Sequence, residues 1–507
     1  MRKNYYYVDK TMFIEKIEMQ PSYLFLIRPR RFGKSLTLAM LEAYYDVRYA
    51  DQFDELFGHL YIGQHPTPIH NQFLIMRFNF SEVSSNVNEV EESFRLHCCG
   101  KLSDFVYRYE HLLGKDIWNV LDEKTQADPG AFLSSINTYA TRKGDLKIYL
   151  LIDEYDNFTN TILSTYGTDL YRKATHGEGY IRRFFNVIKA ATTGMGSAVN
   201  RLFITGVSPV TMDDVTSGFN IGTNITTDPW FNDLVGFSEK ELREMLTYYK
   251  EQGALPMSVD DAVTMMKPNY DNYCFSENKL ADCMFNSDMV LYFLSTFLRL
   301  GTPPKEMIDR NIRTDYNKIR HLIRIDRELG ANFSIIREIV ENGRTTANIN
   351  SSFPADRMVD TNNFKSLLYY FGLLTISGTE RGNVVLTIPN QTVREQLYTY
   401  LVDTYQLTHL HLLGVDNCAV SAVEDDGHHC DLIDIGDVIE ANLHIHLAGL
   451  RSADLRGEAV GQTLTSLDVA AHLVEVGIYF APFVVPSFEF THSAVGIIVR
   501  LAIGAYI

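Results

Sequence analysis

The chain has 507 residues, 46% of them hydrophobic and 21% charged, with a formal net charge of −17. This length allows two or three domains with a large buried core, and the composition is that of an ordinary soluble globular protein. The acidic balance excludes wholesale coating of nucleic acid but leaves room for a local basic patch. Six cysteines without a C-x-x-C spacing exclude a disulfide framework and point to a reducing cytoplasm. The opening MRKNYYYVDKT has no apolar signal-peptide core, and the apolar stretch 476–488 is broken by Pro482 and Pro486, so no membrane span is expected.

In chain order, residues 23–28 read as a buried strand that runs into RPRRFGKS, residues 28–35. Residues 35–45 follow as a helix with apolar Leu36, Leu38, Met40 and Leu41. A second strand is expected at 72–80 (QFLIMRFNF), a turn at Asp128-Pro129-Gly130, and a third buried strand at 146–152 (LKIYLLI) ending in DEYDN. Residues 181–193 read as a helix, and 201–205 (RLFIT) as a fourth strand ending in GVSPV. Strands alternating with helices imply an α/β fold with a doubly wound, mostly parallel sheet, which holds its ligands at the carboxyl ends of strands. All three polar motifs stand at such ends.

Beyond residue 232 the pattern becomes helical. In GFSEKELREMLTYY, Ser238 and Glu241 have the spacing of a capping box. Helices are expected to about residue 344 and again at 364–371. A hairpin follows, turning around Glu380-Arg381-Gly382-Asn383, and then a helix at 391–404. This gives a core at 1–231, a helical lid at 232–345, a winged-helix-like module at 346–405 and an atypical tail at 406–507.

Each motif has a chemical reading. A strand, a glycine and a helix start place backbone N–H groups around a phosphate. Gly33 allows close approach, Lys34 reaches the β- and γ-phosphates and Ser35 ligates Mg²⁺. Arg28, Arg30 and Arg31 add positive charge. The usual first glycine of such a loop is Arg28 here, so a solvated basic turn is the competing reading. At the end of the third strand, Asp153 and Glu154 have the pattern of a Walker B pair. Asp153 would hold the metal through water and Glu154 would orient the attacking water. Thr205, with Ser208 second, is placed to contact the γ-phosphate or that water; a plain strand-terminal turn on Gly206 and Pro209 is the alternative.

YYYVDKTMFIEKIE, RPRRFGKSLTLAML, NQFLIMRFNFSEVSS, LLIDEYDNF and ITGVSPVTMDDVTSGFNIGTNIT together resemble the bacterial AAA-ATPase-like family, as do GFSEKELREML and VLTIPNQTVREQL. The resemblance runs over roughly residues 5–405, and within that family the loop itself has the form R-P-R-R-F-G-K-S. It implies a P-loop NTPase with an added strand between the Walker A and Walker B strands, ATP and Mg²⁺ as ligands, and hydrolase activity. Carried onto this chain, Gly33, Lys34 and Ser35 bind nucleotide together with Arg30, Arg31 and Phe32. Ser35 and Asp153 serve the metal, Glu154 the water, and Asp156 and the stretch 213–220 are landmarks without assigned chemistry.

Two departures from the family bear on the reading. Its members usually carry residues ahead of the YYYVDKT segment, so an N-terminal piece is expected to be missing. They often end in a nuclease-like domain that needs a Glu-x-Lys; here all 18 lysines lie at or before Lys365, so an intact nuclease is excluded. The tail holds eight of the 15 histidines. His428-His429-Cys430-Asp431 and His444-x-His446 suit a metal reading, whereas the abrupt change near Tyr405 suits a frameshifted or disordered tail. The expected function is ATP binding with Mg²⁺-dependent hydrolysis that drives a conformational switch in the cytoplasm and acts on an unspecified protein partner. The alternatives are a non-hydrolysing nucleotide sensor, a DNA- or protein-binding module, and a degraded product with little activity. Only Arg357, Lys365 and Arg381 are basic in 357–381, which argues against strong DNA binding.

Overall fold

The computed structural model describes residues 6–404 apart from 87, 194–195, 211–213, 215–221, 310–330 and 359. The expectations for the tail, including its histidines and the apolar stretch 476–488, fall outside the described residues, as does most of 213–220. The chain divides into two compact units, Met1–Leu397 and Tyr398–Ile507; everything below concerns the first.

The four expected strands form close to their expected limits, as β1 (Tyr23–Ile27), β2 (Leu74–Asn79), β3 (Ile148–Asp153) and β4 (Val199–Gly206). A two-residue strand that the sequence pattern does not announce, β5 (Thr223–Asn224), completes a parallel sheet in the order β2-β3-β4-β1-β5. All six residues of β3 are buried, as a parallel strand covered on both faces requires. Side-chain alternation sorts the two faces. Arg77 of β2 bonds Glu42 on the helix Lys34–Tyr45, and Tyr149 of β3 packs its ring on Tyr45 of that helix. Phe78, one residue on, packs instead against Phe184 of the helix Tyr180–Thr193. Because β4 lies between β1 and β3, the ends Ile27, Asp153 and Gly206 share one edge of the sheet.

Two local expectations change. Asp128-Pro129-Gly130 opens the helix Pro129–Lys143 rather than forming a free turn. Asp128 accepts the N–H of Ala131 at 2.7 Å, and Pro129 occupies the first helical position, where its missing N–H costs nothing. Leu36, counted with the apolar stripe of its helix, is exposed, whereas Leu38, Leu41, Tyr44 and Tyr45 are buried.

The helices Glu239–Glu251, Val259–Tyr270 and Ser287–Leu300 pack around Leu242, Met245, Met266 and Phe293. The first of them has the expected capping box, with Ser238 and Glu241 exchanging side-chain and backbone bonds. Two antiparallel bridges run beside these helices, Phe237 with Phe285 and Tyr273 with Met284. Further on, β6 (Arg344–Ala347), β7 (Thr375–Glu380) and β8 (Asn383–Thr387) form an antiparallel sheet in the order β6-β8-β7, together with the helices Ala331–Asn342 and Thr361–Tyr370. The hairpin turn is Arg381-Gly382, with φ of 51° and 82°. Left-handed backbone at both central residues is what a two-residue turn needs to match the twist of its strands. No helix of the described residues is long and apolar enough to cross a membrane.

Candidate functional site

The loop between β1 and the helix Lys34–Tyr45 is held mainly through its carbonyls. Ser287 Oγ and the Asp288 N–H donate to the Arg31 carbonyl at 3.1 and 3.3 Å, and the Gly236 N–H donates to that of Phe32 at 2.9 Å. The Phe32 ring is buried, edge-on to Tyr273 at 4.8 Å and to Phe275 at 5.4 Å. Gly33 then turns the chain with φ of 102°, a conformation that strains any residue with a Cβ, and serves as the helix N-cap without side-chain capping. The first N–H groups of such a helix have no intrahelical acceptor, and with the helix dipole they favour an anion.

Arg28 does not add its charge to that anion-facing side. It is fully buried and donates to the carbonyls of Ile27 at 3.3 Å, Phe231 at 3.0 Å and Thr226, with its guanidinium 4.2 Å from the centre of the Phe275 ring. Burial lowers its pKa to about 10, against which Tyr369, Tyr370 and Cys274 act weakly. The cause is geometric: carbonyls and an aromatic face take the place of solvent around the guanidinium. Arg30 reaches Asn157 Oδ1 at 3.3 Å, and Arg31 pairs with Asp288 at 3.4 Å.

Lys34 is buried and folds back on its own loop, donating to the carbonyls of Arg28 and Pro29 at 3.2 and 3.1 Å, with Glu154 Oε1 at 3.7 Å. Glu154 has a left-handed φ of 51°, a strained conformation for a residue with a side chain. That conformation is over-determined by its neighbours. The Tyr155 N–H bonds the Thr205 carbonyl at 3.1 Å, and the Tyr155 hydroxyl donates to the carbonyl of Ser208. Asp156 accepts from the N–H groups of Val207 and Ser208 and, at 2.7 Å, from Asn160. Burial, and next the charge of Glu154, raise the Asp156 carboxyl to about 6, while those hydrogen bonds oppose the rise. Asp156, a landmark without a role in the sequence, is therefore a staple between the ends of β3 and β4.

Asp153 is fully buried. Its Oδ1 accepts the Thr205 hydroxyl at 2.8 Å, while its Oδ2 has no hydrogen bond and only the Arg77 guanidinium at 3.7 Å. Thr205, also fully buried, thus directs its hydroxyl at Asp153. Arg77 was missed as a site residue. The available signal was a lone arginine in an otherwise apolar strand, on the same face as Asp153.

A cavity of about 780 Å³ lies over the loop. Arg30, Arg31, Phe32, Gly33, Lys34 and Ser35 all line it, Ser35 being exposed there, and so does Glu154. Asp153 and Thr205 are not part of its wall, although Asn79, the neighbour of Asp153 in register, is. Tyr7 and Phe237 give other parts of the wall an apolar character, and Leu36 and Leu291 are exposed within it. The volume is in the range of sites that enclose small organic ligands.

The family model described as "Predicted AAA-ATPase" matches residues 1–216. The chain is also similar to a protein of Azotobacter chroococcum mcd 1 described as "Uncharacterized protein in vnfD 5'region", with 27% identity over 248 residues, 47% of this chain and 41% of the relative. The match therefore spans less than half the length of that relative.

Proposed function

We propose, from the membership of residues 1–216 in the AAA-ATPase-like family, that the chain binds ATP in the cavity over residues 30–35 and hydrolyses it with Mg²⁺ to drive a conformational switch. The observation that carries this reading is the open oxygen of Asp153. A buried carboxylate oxygen without a hydrogen bond is costly, and a hard cation with oxygen ligands relieves that cost. Ser35, exposed at the first turn of its helix, would offer a second oxygen, so Asp153 and Ser35 are the residues that would hold the metal. When bound, Mg²⁺ supplies neutralisation of phosphate charge.

The chain's own groups have separate tasks. The uncapped helix start and Gly33 receive phosphate oxygens, and Lys34 exchanges its carbonyl partners for them. Arg30 and Arg31 stand at the cavity wall as further positive charge. Thr205 holds Asp153 in one orientation, which makes it a positioning residue. Glu154, one-fifth exposed and held by the strained turn, orients water for attack. Its contact with Lys34 links the two motifs across the sheet edge, so phosphate binding to Lys34 frees the carboxylate. The segment 346–405 is read as the winged-helix-like part and 232–345 as the lid that the switch moves.

The test is Glu154→Gln in the full chain. ATP binding is expected to persist, while phosphate release falls about 100-fold, the lower range for loss of a general base. Equal turnover in both proteins would remove Glu154 from the reaction.

A further inference from the structure

The bridge between Tyr273 and Met284 places two cysteines opposite each other. Tyr273 and Met284 exchange both backbone bonds, at 3.1 and 2.9 Å, so they form a hydrogen-bonded pair. Cys274 and Cys283 are the next residues inward from this isolated bridge, and the Cys274 N–H turns away to Thr375 Oγ1, as at a non-hydrogen-bonded position, where facing Cα atoms are typically about 4.5 Å apart with side chains on one face. That spacing falls within the range of about 4.4–6.8 Å that a disulfide spans. Neither cysteine is in a disulfide; the Cys274 thiol donates to the Ser276 carbonyl at 3.1 Å and the Cys283 thiol to the Leu280 carbonyl at 3.5 Å. Cys274 is buried and Cys283 is partly exposed, so the pair has one side open to a small oxidant.

The surroundings tie this pair to the loop. Tyr273 and Phe275, on either side of Cys274, are the two rings against which Phe32 packs. Phe275 also faces the Arg28 guanidinium, and Cys274 is bonded through its backbone to Thr375 Oγ1. The neighbouring Cys283 thiol, and after it the positive charge of Arg28, lower the pKa of Cys274, while the same neighbourhood and burial raise that of Cys283. Of the two thiols, Cys274 is therefore the one more readily deprotonated.

We propose that Cys274 and Cys283 are a redox-modification site, which a peroxide-class oxidant converts into one disulfide that locks the 273–284 hairpin against Phe32 of the loop. The Cys274 thiolate attacks one oxygen of hydrogen peroxide, the O–O bond breaks, and Cys274 becomes a sulfenic acid as hydroxide leaves. That hydroxide takes the proton of Cys283 and becomes water. The Cys283 thiolate then displaces hydroxide from the Cys274 sulfur and closes the S–S bond. In balance, two thiols and one hydrogen peroxide give one disulfide and two waters; the sulfurs are oxidised and the peroxide oxygens reduced. This step is independent of the nucleotide reading.

The test treats the reduced full chain with hydrogen peroxide, alkylates the remaining thiols and maps cross-linked peptides by mass spectrometry without reduction. The expected result is a Cys274–Cys283 link that dithiothreitol removes, together with slower amide exchange at residues 28–36 in the oxidised form. In Cys283→Ser, peroxide should produce neither the link nor the slowing. Alkylatable Cys274 and Cys283 after peroxide treatment, or their pairing with other cysteines, would overturn the site. A link that leaves exchange at 28–36 unchanged would overturn its coupling to the loop. Neither reading depends on whether ATP binds, so failure of the ATPase proposal would be seen separately.

Discussion

Within RPRRFGKS, the arginine at one end and the lysine near the other are used in opposite ways. Arg28 is enclosed by the carbonyls of Thr226 and Phe231, about two hundred residues further along the chain, and by the Phe275 ring, further along still. Lys34 is equally buried, but its amine is held by nearby carbonyls of its own loop and by Glu154 at the cavity wall. The first is a fixed structural cation. The second has partners close in sequence on its own loop and one carboxylate at the cavity wall, which suits a group that must meet a ligand. Position within a motif thus says less about a charge's task than the elements packed over it.

The strongest way to break this contrast is to remove the fixed cation. Arg28→Met is expected to destabilise the fold by about 4 kcal/mol, because two distant buried carbonyls lose their donor. Urea unfolding measures this, and a change below about 1 kcal/mol would show that Arg28 is not structural. Lys34→Ala should leave the fold largely intact and weaken ATP binding about 100-fold, equivalent to about 3 kcal/mol. Calorimetric titration with ATP and Mg²⁺ separates the two, since unchanged affinity would make Lys34 a structural group like Arg28.

Asp156 sharpens the comparison from the acidic side. Its carboxyl is raised to about 6 by burial, above the usual unfolded value near 3.9, so the folded state binds the proton more tightly than the unfolded state. The stability of the wild type relative to Asp156→Asn should therefore fall as pH rises from about 4 through 6, by on the order of 2–3 kcal/mol. Paired unfolding curves at pH 4, 5 and 6.5 measure that difference; a constant gap would mean that the hydrogen bonds from Val207, Ser208 and Asn160 outweigh burial. The smallest effect is expected at Ser238→Ala, which loses the capping box of Glu239–Glu251 and about 1 kcal/mol, readable as a shifted denaturant midpoint.

The regular elements were legible because their signals are local. Continuous apolar runs announced β1 and β3, and the Ser238–Glu241 spacing announced a helix start that the structure retains. Asp128-Pro129-Gly130 misled because proline and glycine mark helix entries as well as turns, and only the side-chain bond from Asp128 to Ala131 decides between them. β5 is two residues long and exists only as a partner of β1, so no periodicity could reveal it. At the candidate site, Gly33, Lys34, Ser35, Asp153 and Glu154 were proposed from residue type and strand ends. Arg77 was not, since its approach to Asp153 depends on the register of β2 against β3.

The sequence by itself named the candidates for phosphate and metal binding, because those capacities belong to side-chain chemistry and to a glycine at a strand-to-helix turn. It also determined the doubly wound layout, through the alternation of apolar strands with helices. Tertiary structure alone decided that Arg28 turns inward, that Thr205 bonds Asp153, and that Asp156 staples two strand ends. It likewise set Cys274 and Cys283 on the two strands next to the Tyr273–Met284 bridge, beside Phe32. Each of these depends on groups remote in sequence meeting within hydrogen-bond or van der Waals distance, where burial multiplies the cost of an unmet polar group and so selects one arrangement.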